Sequence, residues 1–271
     1  MRNKKVSTSK NSLRLLMFFL IVVFLLITIS IIYRFIALTQ NSVFDSDYLF
    51  TIAFVKDRDL DIVGINARDK KLSHLQLKGV KDLTQAKQLL GIFIDGQINL
   101  AQPFQGAREV DSHISDALLK KRGVSTSLTF YDLLRLFLVV KGIPKANISQ
   151  QTISLPQNET KIDDVTRSFF VDPKIVEDNV TIEIRNGTSI PGLGKRLERA
   201  ITTMGGTVIS VTNADKIVTT SQIEYREEKK NSDTLKRLQR LLLMPAIPLS
   251  SPTLSDIIIT IGKDRVKEIN Y

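Results

Sequence analysis

Val180-Thr-Ile-Glu-Ile-Arg-Asn-Gly-Thr-Ser-Ile-Pro-Gly-Leu-Gly-Lys195 is the most instructive stretch of this chain. Its opening residues alternate apolar and polar, the period of a strand with one buried face. Asn186-Gly187-Thr188 then turns the chain, and Pro191 sits where a first helical residue is favoured. Leu193, Leu197, Ile201 and Met204 share one helical face, opposite Lys195, Arg196, Glu198 and Arg199. Gly205-Gly206 stops that helix, and residues 207–211 read as a strand. Residues 222–226 form a further strand after a loop. Leu235, Leu238 and Leu242 mark a second amphipathic helix, started by Ser232 or Asp233. Residues 256–262 close the unit as an apolar strand. The order βαββαβ predicts a split-βαβ sandwich with two helices on one sheet face.

Working back toward the N-terminus, residues 156–179 are polar and charged, apart from Phe169-Phe170-Val171. A loop this long is unusual inside a compact domain, so it reads as a linker. Ahead of it, residues 48–55 are rich in aromatic and β-branched side chains and predict a strand. Asp57-Arg58-Asp59 makes a turn, and strands follow at 60–66 and 72–77. A short amphipathic helix over 83–90 leads to a strand at 92–100. Helices are expected at 112–121 and at 130–140, the latter apolar enough to be buried. Residues 148–155 supply a closing strand.

At the start of the chain, Leu15 to Tyr33 are nineteen residues without a charge, and residues 1–14 carry five basic residues and no acid. At about 1.5 Å per residue this run is roughly long enough to cross a bilayer's hydrocarbon core. The basic flank predicts a cytoplasmic N-terminus, with everything after Thr39 outside. A cleaved signal peptide would have a shorter apolar core and small residues at its exit. Here the exit reads Ile32-Tyr33-Arg34-Phe35-Ile36, which favours a retained anchor.

The net charge is +10 over 271 residues, but Arg2, Lys4, Lys5, Lys10, Arg14 and Arg34 supply six of the ten. That leaves +4 outside, with no basic stripe interleaved with aromatics, so nucleic acid is not an expected partner. The absence of cysteine removes disulfides, thiol nucleophiles and zinc-thiolate sites. His74 and His113 are the only histidines, neither at metal-ligand spacing from a second ligand, and no G-x-S-x-G elbow occurs. No catalytic residue, metal site or cofactor is therefore expected. Four N-x-S/T sequons, including those at Asn158 and Asn186, read as coincidence.

The run from Val180 to Lys195, continued by Gly206-Thr-Val-Ile-Ser-Val-Thr-Asn-Ala-Asp215 and closed by Ile261-Gly262-Lys263-Asp264, resembles the LytR-type C-terminal domain. The resemblance implies a bacterial envelope protein, often carrying this domain outside the membrane behind an anchor. Upstream, Leu89-Leu-Gly-Ile-Phe-Ile-Asp-Gly96, residues 60–77 and Thr129-Phe-Tyr-Asp-Leu-Leu-Arg-Leu136 resemble the LytR-CpsA-Psr catalytic domain. That family transfers lipid-pyrophosphate-linked glycan onto cell wall, a reaction needing arginines around the pyrophosphate and acids for Mg²⁺. Here the family's Ile-Pro-Arg-Asp is matched by Leu77-Lys78-Gly79-Val80, so the arginine and the acid are both missing. Asp57, Asp59 and Asp61 stand near the earlier acid, in ambiguous register. A degenerate, non-catalytic domain is the favoured reading, an unrelated α/β domain the second and a working transferase the third.

Gly187 to Arg196 invites a phosphate-loop reading, but it fails G-x-x-x-x-G-K-S/T in either register. A glycine-rich helix start with free N–H groups still accepts anions. Asn186, Gly187, Thr188, Gly192, Gly194 and Lys195 are accordingly the candidate ligand-binding residues, for acetamido sugars or wall carboxylates. Lys229-Lys230 and Lys236-Arg237-Arg240 read as a solvated helix face, with anionic wall polymer or lipid headgroups as the functional alternative. The expected organisation is a basic tail (1–14), a transmembrane helix (15–38), a degenerate LytR-CpsA-Psr-like α/β domain (45–156), a linker (157–178) and a βαββαβ domain (179–271). The expected partners are the membrane, peptidoglycan or wall glycopolymer, and envelope proteins. A structural part in a division or secretion complex fits the same residues.

Overall fold

The computed structural model describes residues 8–56, 59–104, 106–155 and 158–269. The expected turn at Asp57 and Arg58, the first half of the basic tail and residue 157 of the expected linker lie outside them. Helix α1 (Thr8–Gln40) is 33 residues long. Within it Leu13–Tyr33 has a mean hydropathy of 3.3, and its side chains point away from the rest of the protein. By length and composition this helix is able to cross a bilayer.

The first globular unit is a mixed six-stranded sheet. Its strands are β1 (Phe50–Lys56), β2 (Asp59–Asn66), β3 (Lys71–Lys78), β4 (Gly96–Asn99), β5 (Ser125–Thr126) and β6 (Ile148–Ser154), in the order β5-β4-β1-β2-β3-β6. Alternation decides which layer each side chain enters. Phe50, Ile52 and Phe54 of β1 face α3 (Val110–Leu118) and α4 (Phe130–Lys141), where Ile114, Leu133 and Leu136 meet them. Ala53, Ile62, Leu75 and Ile153 face the other way, onto α2 (Leu83–Leu90) and α5 (Glu159–Phe170). The central strand is buried on both sides, which is why its sequence is almost continuously apolar.

Three expectations need correction in this part. The strand expected at 92–100 is only four residues long. Helix α4 is buried along one side alone: Phe130, Leu134 and Leu138 are exposed. The stretch expected to be loop is helical, as α5 and as α6 (Pro173–Asp178). Asn158 caps α5 and Asp172 caps α6 through their side chains, and Ile162 and Phe170 carry α5 into the core.

The second unit has strands β7 (Thr181–Asn186), β8 (Thr207–Asn213), β9 (Gln222–Tyr225), β10 (Ala246–Pro248) and β11 (Ile257–Ile261), in the order β10-β9-β11-β7-β8. Helices α7 (Leu193–Thr203) and α8 (Asp233–Leu242) send their apolar sides into one core with Ile182, Ile184, Ile223 and Ile259. The expected βαββαβ order is present with one added strand, β10. The split is not: β7 lies directly beside β8, and β9 beside β10, each pair parallel. Instead β11 enters between the two βαβ units, parallel to β7 and antiparallel to β9. Its five residues are all buried, as the centre of a sheet requires.

Candidate functional site

The six candidate residues gather at the end of β7 and the start of α7, and most of their polar groups are already in use. Asn186 Oδ1 accepts hydrogen bonds from the Thr188 amide (3.1 Å) and hydroxyl (2.8 Å), while its Nδ2 donates to the Ile190 carbonyl. This is an Asx turn, the local arrangement for which asparagine is favoured. Gly187 lets two backbones meet: a Cβ there would lie 2.8 Å from the Ile261 carbonyl oxygen. Gly194 allows α7 to sit against Val211. Gly192 caps α7 at φ +77° without a side-chain bond. Pro191 therefore lies in the turn ahead of the helix rather than at its first position. Lys195 points outward and pairs with Glu198 at 2.7 Å.

Lys195 is also the link to a feature that no single segment reveals. It lines a groove of about 280 Å³ with Lys87, Gln88, Gly91, Arg196 and Arg199. Four cations thus converge from two units, Lys87 from the last turn of α2 and three from the first turns of α7. Arg199 is the floor. Its Nη1 donates to the Gln88 carbonyl (3.0 Å), and its Nη2 to the Leu89 carbonyl (2.8 Å) and to Asp163 Oδ1 (2.5 Å). A guanidinium here satisfies carbonyls that the end of α2 leaves open and complements the helix dipole. Gly91 makes the contact possible: it is left-handed at φ +58°, and a Cβ would lie 2.6 Å from Arg199 Cγ. Partial burial holds the Lys87 ammonium below the ordinary lysine range, an effect that a bound anion would oppose.

The basic residues of α8 behave differently, and the expectation of a solvated face fails for one of them, Arg237, while Lys236 and Arg240 are exposed. Arg237 is 3% exposed. Its Nη2 donates to Asp95 Oδ2 and to the Leu49 carbonyl, both at 2.9 Å, and the same Asp95 oxygen accepts from the Thr51 amide. Arg240 pairs with Asp45 at 2.6 Å. Burial pushes the Asp45 carboxyl up, but bonds from the Asp47 amide and Arg240 outweigh it and hold it below the usual range. Burial raises Asp172 despite bonds from the Leu49 and Lys174 amides. These contacts join the segment behind α1 to both units. The cavity beside Arg237, about 20 Å³, has room for little more than one water and admits no wall ligand.

Both histidines are packed against Phe104. His74 Nε2 lies 2.7 Å from Asp61 Oδ1, with both side chains almost fully enclosed. The rings of His74 and His113 lie 4.8 Å and 5.1 Å from that of Phe104. No substrate reaches the His74–Asp61 pair, whose place is in the core. Val80 is buried, in one core cluster with Leu77 and Ala86. Among the described residues no group of three or more His, Asp or Glu is arranged to share a metal ion.

Residues 179–264 match the family model described as LytR cell envelope-related transcriptional attenuator, so the second unit is a LytR-type C-terminal domain. That match supports a cell-envelope protein. No curated protein matches the chain. Among solved structures the chain is similar to the transcriptional regulator YvhJ from Bacillus subtilis, at 14% identity over 40% of this chain and 83% of that one, TM-score 0.29. It is similar to B. subtilis TagV at 10% identity over 45% and 96%, TM-score 0.33. It is similar to Lin1025 from Listeria innocua at 9% over 39% and 83%, TM-score 0.29.

Proposed function

We propose that this is a single-pass, membrane-anchored envelope protein that holds anionic wall glycopolymer in the groove between α2 and α7, without catalysing its transfer. The observation that carries the reading is the convergence of Lys87, Lys195, Arg196 and Arg199 on one cavity from two units. A polymer with phosphodiester or carboxylate repeats presents charges that lysine and arginine pair with in water-exposed grooves. Of the six residues expected at the ligand, Lys195 stays in this set, joined by Lys87, Arg196 and Arg199.

The anchor is α1, whose Leu13–Tyr33 stretch has an apolar surface that the fold leaves uncovered and a bilayer would cover. The basic residues before it put the N-terminus in the cytoplasm and both globular units outside. In this reading residues 45–156 are a LytR-CpsA-Psr-like domain that has lost its chemistry, 157–178 join it to the next unit, and 179–271 form the LytR-type domain. Gly79 and the buried Val80 occupy the places of the arginine and acid, which supports a binding role over transfer.

The test uses full-length protein in nanodiscs with fluorescent poly(glycerol phosphate) and a neutral glucan of similar length. The expected result is binding of the phosphate polymer alone, weakened by salt and lost in a K87Q/K195Q/R196Q variant. Equal binding of neutral glucan, or a triple variant that binds like the wild type, would overturn the reading.

A further inference from the structure

Helix α4 carries an apolar ridge that the fold leaves uncovered. Phe130, Leu134 and Leu138 recur at every fourth position and are 54%, 37% and 61% exposed. The opposite side, Leu133, Leu136 and Val140, is in the core. Three large apolar side chains in a row on one helix face are unusual for a surface in contact with water.

The position of this ridge is fixed by its tie to α1. The chain leaves α1 at Gln40, and two residues later Ser42 Oγ donates to Asp132 Oδ1 at 2.5 Å. The Phe44 amide donates to the same oxygen at 2.9 Å. Arg135 Nη1 donates to the Phe44 carbonyl, and its guanidinium lies over the Phe44 ring. Helices α1 and α4 are in contact. The seven residues from Tyr33 to Gln40 rise roughly 10 Å, against a headgroup layer roughly 5–7 Å thick on each side of the hydrocarbon. The first turn of α4 is thereby held roughly 3–5 Å outside the headgroup layer, within the reach of a large apolar side chain.

The charges agree with that placement. The single acid of α4, Asp132, is buried and occupied by the capping box with Thr129 and by the chain behind α1. Lys141, at the end of the ridge, is exposed with its Nζ 5.4 Å from the Phe137 ring centre. An apolar face bordered by a cation is the pattern of a helix lying in the membrane interface.

We infer that α4 rests its Phe130–Leu134–Leu138 face on the outer surface of the same bilayer that α1 spans, so that the first globular unit is docked to lipid. This rests on the membrane-anchored reading above. The chain has no cysteine, so L25C in α1, L138C on the ridge and L254C on the far unit can each carry one environment-sensitive dye in full-length protein in nanodiscs. Nitroxide lipids should quench the dye at positions 25 and 138 and leave position 254 bright, while aqueous iodide should quench only position 254. A dye at 138 quenched by iodide like that at 254, with 25 still quenched by lipid, overturns the docked helix and leaves the anchor standing. A dye at 138 shielded from both quenchers means a protein covers the ridge, and cross-linking of L138C chains to one another would identify a second copy; either result overturns the lipid assignment. Loss of lipid quenching at 25 overturns the anchor and the docked helix together.

Discussion

Arg237 and Arg199 both reach from helices of the second unit to the first, yet they end in opposite conditions. Arg237 is enclosed, bound to Asp95 and to the carbonyl of Leu49. Arg199 binds an acid and two carbonyls as well, but at the floor of an open groove with three further cations around it. Both helices are strongly amphipathic in sequence, so the difference comes from what each meets. At α8 the first unit supplies a buried carboxylate. At α7 it supplies the end of a helix and another lysine. The first contact is therefore enclosed by the fold, and the second lines an open groove together with further cations.

The largest test of that distinction is D95A, which strands the Arg237 guanidinium in the interior. A loss of about 3–5 kcal/mol is expected in urea denaturation, as for other broken buried pairs. The double variant D95N/R237M should recover most of it, because an apolar side chain there needs no partner. G91A comes next, adding a Cβ at a left-handed position and pressing on the Arg199 stem. It should cost about 1–2 kcal/mol in the same measurement and weaken polymer binding by shifting the groove floor.

Acid should expose a smaller effect in the core of the first unit. Burial holds His113 below its ordinary value of 6.5, against an opposing pull from Glu109. The unfolded chain then takes up the proton first, so stability falls as pH drops below that value and levels off once the folded form is also protonated. In H113F, which keeps an aromatic ring beside Phe104, melting temperature should change less between neutral and mildly acidic pH. The smallest effect on stability belongs to the groove. K87Q, K195Q and R196Q should each stay within about 0.5 kcal/mol of the wild type, although together they remove binding. Because Lys87 titrates early, binding should also fade at a lower alkaline pH than ordinary lysines would give, and K87R should move that limit upward.

Much of the fold was legible because it is written in short-range periods. The strand alternation of 180–185 and the helical face Leu193-Leu197-Ile201 needed no distant information. Helix α5 was missed although Ile162, Val165, Thr166, Phe169 and Phe170 have helical spacing, because lysines, acids and polar side chains dilute its apolar face. Strand β10 is three residues long, too short to show a period. The split topology failed because strand order is set by which edge β11 joins, and local sequence does not carry that. The candidate site was readable only in part. Lys195 stood out beside its glycines, whereas Lys87 joins it through the packing of α2 against the second unit. Asp61 and His74 likewise meet only once β2 and β3 are in register.

One detail of the interface bears on the order in which the chain takes shape. Leu49 leads into β1 and is among the first residues behind α1 to be synthesised. Its amide is closed by Asp172 and its carbonyl by Arg237. The root of the central strand thus waits, unsealed, until α8 has been made. A ribosome stalled before that point should hold a chain whose first sheet is open to proteolysis at Leu49, and release of α8 should close it.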